Sequence, residues 1–104
     1  MKARFAIALF SLSLVASSAL AADPMHGRGL AERWCSSCHL VSSTQTKAST
    51  DVPSFSEIAR QPGFDAARLA LFLLDPHPKM PDLSLTRSEA ADLSAYIQSL
   101  DAAH

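Results

Sequence analysis

The C-terminal third of the chain carries a stripe of apolar residues at helical spacing. The stripe consists of Leu93, Tyr96, Ile97 and Leu100, which follow one another at i, i+3, i+4 and i+7. Thr86 precedes this pattern, and Glu89 follows three residues later, so the two residues form a capping box. A helix from Arg87 to about Asp101 is therefore predicted.

Three more helices are predicted from residues that start and stop helical structure. They run from Asp23-Pro24 to about Ser37, from Phe55 to Arg60 and from Ala66 to Leu74. Asp23 and Asp65 are suitable N-caps, and Ser54 with Glu57 makes a second capping box. No segment alternates apolar and polar residues in the manner of a strand. The predicted fold class is all-α, with four to five short helices.

Two segments lack helical periodicity. Residues 41–52 are rich in Ser and Thr and predict a loop, and loops of this length in small domains are often functional. The segment His77-Pro78-Lys79-Met80-Pro81 follows Pro76, so three prolines fall within six residues. Proline fixes its own backbone and cannot continue a helix, so this segment is expected to be stiff and extended.

The first 21 residues have the layout of a secretory signal peptide. Lys2 and Arg4 supply positive charge, an apolar run follows from Phe5 to Ala16, and Ala19-Leu20-Ala21 is a small-x-small cleavage signal. We expect cleavage after Ala21, export to the periplasm and one mature domain over residues 22–104. An uncleaved segment would instead anchor the protein to the membrane, although its apolar run is short for a bilayer span.

Composition narrows the function of the mature domain. The full chain has 104 residues and a net charge of -1, and loss of the segment leaves seven bases against ten acids. No basic surface for nucleic acid is indicated. A bare chain of about 80 residues in an oxidising compartment usually needs a disulfide, metal or cofactor to complete its core. The two cysteines allow at most one disulfide, so another group is expected to do this.

Both cysteines belong to one motif, Cys35-Ser36-Ser37-Cys38-His39, which has the C-x-x-C-H pattern of haem c attachment. On a helical turn Cys35, Cys38 and His39 project from the same face, since they stand at i, i+3 and i+4. Two thiols can then form thioethers with the two haem vinyl groups. The imidazole of His39 lies beneath the iron and can bind it.

Three other uses of the motif are open. The cysteines could form a simple disulfide or a redox-active dithiol, but a thioredoxin-like dithiol is expected within an alternating strand–helix pattern, which is absent. They could supply half of a zinc site, but no second C-x-x-C or H-x-x-x-H provides the remaining ligands.

A sixth iron ligand can be argued by elimination. The candidates in the mature chain are Met25, His26, His77, Met80 and His104. Met25 and His26 share the first helix with His39, roughly 20 Å along its axis, and cannot reach the opposite haem face. His104 lies at a terminus expected to fray. Met80 is favoured because its stiff segment can cross over and because His/Met is a known haem pair. His77 is the second choice, and Met80 could also be an ordinary core side chain.

At these residues the chain resembles a class I cytochrome c of the short bacterial periplasmic monohaem type. The resemblance covers essentially the whole mature chain. The elements that carry it are Gly27, the C-x-x-C-H motif, Pro53-Ser54-Phe55 with Ile58-Ala59, residues 77–81, and Leu93-Ser94-Ala95-Tyr96-Ile97. It implies one covalent haem c with the motif histidine and the late methionine, here His39 and Met80, as axial ligands. It also implies that the first and last helices cross near Gly27 and Tyr96.

The sequence departs from the family pattern at several positions. Ala31 stands where an aromatic residue is common, with Trp34 next to the motif instead, and Leu40 replaces a small residue. The mature chain has only two lysines, Lys47 and Lys79, so the lysine-ringed docking face of mitochondrial cytochromes c is not evident. These differences bear on helix packing and on the identity of the redox partner.

The expected function is electron transfer and not catalysis, because a six-coordinate iron has no open position for substrate. The expected partners are redox proteins, such as a dehydrogenase, an oxidase or a quinol-oxidising complex. One alternative is an electron-accepting subunit of a periplasmic dehydrogenase or oxidase complex. Another is a haem sensor or peroxidase, which would require Met80 to dissociate. The five aromatic residues of the mature chain are expected to pack around the haem.

Overall fold

Four helices make up the regular structure of the computed structural model, which describes residues 21–49, 51–75 and 80–101 and six isolated positions before residue 14. They are α1 (Pro24–Trp34), α2 (Phe55–Ala59), α3 (Ala66–Leu74) and α4 (Arg87–Asp101). No strand occurs in these described ranges, and the all-α prediction is confirmed. Several predictions concern residues outside the described ranges: most of the export segment, residues 76–79 with His77, and His104.

Local capping starts the helices as the sequence predicts. The Asp23 side chain accepts hydrogen bonds from the backbone N–H groups of Met25 and His26 at the start of α1. Ser54 and Glu57 complete a reciprocal capping box at α2, and the Asp65 side chain accepts from the N–H of Arg68 in α3. Each cap satisfies N–H groups that have no partner within their own helix.

Helix α1 is shorter than the sequence predicts: it ends at Trp34, not at Ser37. The cause is a change of hydrogen-bond partner at Ser36. Its N–H donates to the carbonyl of Ala31 at 3.1 Å, and its hydroxyl donates to the carbonyl of Glu32 at 2.6 Å. This side-chain bond competes with the helical ladder, and the chain continues as a turn.

Helix α4 is the centre of the fold, since α1, α2 and α3 each pack against it. No two of α1, α2 and α3 approach one another within a Cα–Cα distance of 8 Å. The buried cluster contains residues from every helix except α3: Leu30, Ala31, Cys35, Val41, Phe55, Ala59, Leu93, Tyr96 and Ile97. The core is therefore continuous along α4 and open between the other three helices.

The crossing of α1 and α4 depends on Gly27, which is buried against the backbone of Asp92 and Leu93. The Asp92 carboxylate accepts hydrogen bonds from the N–H of Asp23 and from Nδ1 of His26, both at 2.7 Å. The start of α1 and the middle of α4 are thus joined by a close backbone contact and by one partly buried carboxylate. None of the described helices has the length and apolar character needed to cross a membrane.

Candidate functional site

The C-x-x-C-H motif forms a single turn directly after α1. The N–H of His39 donates to the carbonyl of Cys35 at 2.9 Å, which is a helical hydrogen bond over four residues. Cys35 is buried and Cys38 is exposed, yet both line the same cavity, together with His39. The turn therefore presents the two thiols and the imidazole to one space.

This cavity occupies the opening between the helices. Its volume is about 640 Å³, within the range of roughly 300–1,000 Å³ that is common for ligand pockets. Its apolar lining comes from α2 (Phe55, Ile58), α3 (Leu69, Phe72, Leu73), α4 (Leu93, Ile97) and the segment before α4 (Met80, Pro81, Leu83). A large, mostly apolar ligand would bring together helices that do not otherwise meet.

His39 is fixed by a backbone carbonyl. Its Nδ1 lies 2.7 Å from the carbonyl oxygen of Pro53, and because a carbonyl only accepts, Nδ1 carries the proton. Nε2 is then the nitrogen with a free lone pair. The ring also packs against Phe55, with centroids 5.3 Å apart. A donor bond from one ring nitrogen that orients the other is typical of metal-binding histidines.

The structure separates the candidates for a sixth ligand. Met80 is half-buried and lines the cavity with His39. Met25 is 70% exposed on α1, and Nδ1 of His26 is bonded to Asp92; neither lines the cavity. His77 and His104, which complete the set, lie outside the described residues.

The thiol environment bears on the alternative uses of the cysteines. Burial, with a smaller effect from Cys38, raises the pKa of Cys35 to about 11. Redox-active dithiols instead have a lowered pKa, because the thiolate is the nucleophile. For zinc, no group of three His, Cys, Asp or Glu side chains converges within the described ranges. The residues present fit covalent haem c better than a redox dithiol or a zinc ion.

Helix α3 supports the same fit. It is built almost entirely from apolar residues and has no buried residue. Phe72 is 51% exposed although it lines the cavity, and Trp34, also in the lining, is 41% exposed. Arg33 lies over the Trp34 ring, 5.6 Å from its centroid. Phe72 and Trp34 belong to the apolar wall of the cavity, and an aromatic ring system bound in the cavity would cover them.

Tyr96 packs behind Phe55, which lines the cavity. Both are buried, and their rings meet edge to face with centroids 6.5 Å apart. The Tyr96 hydroxyl donates to the carbonyl of Val41, two residues after the motif. Burial raises the pKa of Tyr96 above its ordinary value. Tyr96 thus joins α4 to the chain segment that follows His39.

Sequence reasoning missed the part played by Pro53. Its carbonyl oxygen orients His39, but a backbone carbonyl leaves no residue-type signal, and the contact spans 14 positions. The adjacent capping box places Pro53 immediately before α2, which is the only local indication.

Comparison with known proteins gives one clear relative. No family model matches the chain, and no solved structure matches it. The chain is 62% identical over 84 residues to the protein named cytochrome c-552 of Bradyrhizobium diazoefficiens, and the alignment covers 81% of this chain and 81% of that protein. Identity at this level over most of both chains shows common ancestry, and the chain belongs to the cytochrome c family.

Proposed function

We propose that this cytochrome c is a periplasmic monohaem carrier that moves single electrons between redox proteins. Cys35 and Cys38 would hold the haem through thioethers, and His39 and Met80 would be its axial ligands. The observation that carries the proposal is the convergence of these four side chains on one apolar cavity. Electron transfer follows from membership of the cytochrome c family. The axial ligands, the single haem and the periplasmic location are what we propose in addition.

Each residue has a defined task in this proposal. Pro53 keeps the proton of His39 on Nδ1, so that the lone pair of Nε2 would be the one available to the iron. Met80 offers a soft thioether from another part of the lining, a ligand that favours the reduced state. The apolar walls from α2, α3 and α4 exclude water. When bound, haem c supplies the iron that exchanges one electron.

If His39 and Met80 both bind the iron, they would leave no coordination position for a substrate, which would limit the protein to electron exchange with its partners. Removal of residues 1–21 during export would deliver the domain of residues 22–104 to the periplasm. The partners are proposed to be redox proteins, such as a dehydrogenase, an oxidase or a quinol-oxidising complex.

The ligands are tested by absorption spectra of Met80→Ala and of Met25→Ala, which removes an exposed methionine from α1. We expect Met80→Ala to lose the weak long-wavelength methionine–iron band of the ferric protein and to become high-spin. Met25→Ala should keep the wild-type spectrum. An unchanged spectrum in Met80→Ala would show that Met80 does not bind the iron.

The mass of the purified native protein tests the cleavage after residue 21 and the covalent attachment of one haem. A mass equal to residues 22–104 plus one haem is expected, and a mass equal to the bare polypeptide would refute covalent attachment. Gel filtration of the native protein from a gentle extract separates a free carrier from a subunit. Elution with a flavin, quinone-dependent or molybdenum protein would replace the free-carrier proposal by the subunit alternative.

A further inference from the structure

One side chain outside the cavity lining binds the backbone of the C-x-x-C-H turn from several directions. Nε2 of Gln45 lies 2.7 Å from the carbonyl oxygen of Ser36, 2.8 Å from that of His39 and 3.0 Å from that of Lys47. Its Oε1 accepts a hydrogen bond from the N–H of Val41 at 3.0 Å. A single half-buried carboxamide therefore engages four backbone groups between residues 36 and 47.

These contacts add to the hydrogen bonds that the backbone of the turn makes by itself. The Cys35 carbonyl accepts from the N–H groups of Cys38 and His39, at 3.2 and 2.9 Å, and the Cys38 carbonyl accepts from Ser49 at 3.0 Å. The carbonyls of Ser36 and His39 receive their bonds from Gln45. Because α1 ends before the motif, a helical ladder does not supply these partners, and an unsatisfied carbonyl in a packed turn is costly.

The two residues that Gln45 holds occupy important positions. Ser36 stands between the cysteines, and His39 carries the proposed axial imidazole. Pro53 fixes the ring of His39 from the side of α2, whereas Gln45 fixes its backbone from the loop of residues 41–49. Movement of this turn would move both thioether positions and the imidazole relative to Met80.

We propose that Gln45 is a positioning residue for the haem-attachment turn, which holds the backbone of Ser36 and His39 and so sets the reduction potential. The inference rests on His39 being an iron ligand, as proposed above. Only a carboxamide offers an acceptor for the Val41 N–H and two donor protons for carbonyls. A carboxylate keeps the acceptor and loses the donors, while alanine loses both.

The test uses the holoprotein as exported by the cell and three variants: Gln45→Ala, Gln45→Glu and Gln98→Ala. Gln98 is exposed on α4 and gives the matched change away from the motif. Amide hydrogen exchange at Val41 reports the acceptor end of the carboxamide. The reduction potential and the paramagnetic shifts of the His39 ring protons report the donor end.

We expect Gln45→Ala to raise the exchange rate of the Val41 amide about tenfold, the effect of losing one hydrogen bond near the upper end of its usual contribution. It should also lower the reduction potential, since water admitted to the loosened turn stabilises the more charged ferric iron. Gln45→Glu should lower the potential in the same direction while keeping most of the Val41 protection. Gln98→Ala should change neither quantity.

Two outcomes would overturn the proposal. The first is a Gln45→Ala protein with wild-type potential and His39 shifts, even if Val41 exchanges faster, because Gln45 would then stabilise only the loop. The second, relevant if Gln45→Ala gives no holoprotein, is a Gln45→Glu protein with wild-type potential and shifts. A wild-type protein without covalent haem would refute the proposed function instead, and the Val41 exchange rate would still report the Gln45 contacts.

Discussion

Gly27 of α1 lies directly against the backbone of Asp92 in α4, with no room for a methyl group between them. A Cβ at Gly27 would overlap the Asp92 carbonyl oxygen and lie 2.5 Å from its carbonyl carbon and 2.9 Å from the N of Leu93. These neighbours are helical backbone, which cannot turn aside as a side chain can. The spacing of the two helices therefore depends on the absence of a side chain at residue 27.

Replacement of this glycine is expected to be destabilising although alanine favours helices. Gly27→Ala should lower the free energy of unfolding by about 1–3 kcal/mol, the usual cost of overpacking. Gly29→Ala is the control, because a Cβ there meets no atom within 4 Å; it should stabilise α1 by about 0.5–1 kcal/mol. Denaturant unfolding of both holoproteins measures the difference. Equal effects of the two changes would show that the helices separate freely.

The bond between Tyr96 and Val41 supports a second prediction. Tyr96→Phe keeps the ring and removes the hydroxyl that donates to the Val41 carbonyl. Because Val41 is 2% exposed, its carbonyl would lose a partner where water is scarce. We expect a loss of about 1–3 kcal/mol in the free energy of unfolding. A loss no larger than that of the exposed Ser88→Ala would contradict this assignment.

Tyr96 should also make stability depend on pH in the alkaline range. Burial raises its pKa in the folded protein above the ordinary value of 10.0. Between the unfolded and folded values the native state binds more protons, so the stabilisation is full below pH 10 and is lost as the pH rises through the folded pKa. Wild type should therefore lose more stability above pH 10 than Tyr96→Phe does. Because the chain has one tyrosine, its ionisation can be followed directly by difference absorbance; parallel stability curves would contradict the prediction.

The helices were predictable because their signals are local. Asp23, Ser54 and Asp65 cap the helices that follow them, as their types and positions suggest. The end of α1 was predicted three residues late. The apolar periodicity of the sequence continues into the motif, but in the structure the Ser36 hydroxyl donates to the carbonyl of Glu32 and the helix ends. A competing side-chain bond of this kind depends on rotamer and geometry, which a pattern of residue types does not contain.

The sequence predicts candidate residues for the site, but it does not predict the contacts that hold them in place. The motif names Cys35, Cys38 and His39, and the cavity brings them together with Met80. The carbonyl of Pro53 and the amide of Gln45, which hold the turn in place, carry no motif. The Asp92 contacts with Asp23 and His26 span more than 60 residues. Such supports appear only when distant segments are packed together.

The two capping boxes offer a matched pair of substitutions. Ser54 and Glu57 cap α2 next to Pro53, whereas Thr86 and Glu89 cap α4 with bonds of 2.9 and 3.0 Å. Ser54→Ala and Thr86→Ala should each lower the free energy of unfolding by about 1 kcal/mol.

Only Ser54→Ala should also change the haem site, since it releases the backbone next to the carbonyl that orients His39. The His39 ring proton shifts of the holoprotein measure this effect. If the His39 ring proton shifts of Ser54→Ala match those of Thr86→Ala, the Pro53 carbonyl is held by contacts other than the α2 cap.

Phe72 and Leu71 are neighbours on α3 and test what the apolar wall is for. Phe72 is 51% exposed and lines the cavity, whereas Leu71 is 67% exposed and does not. If the cavity holds a haem, Phe72 is covered by it, and Phe72→Ala should admit water and lower the reduction potential. Leu71→Ala removes a similar exposed apolar group and should leave the potential unchanged. A potentiometric titration with spectral readout compares them. A shift in Leu71→Ala equal to that in Phe72→Ala would mean that both act through the stability of α3, and the wall would then have no direct contact with the redox group.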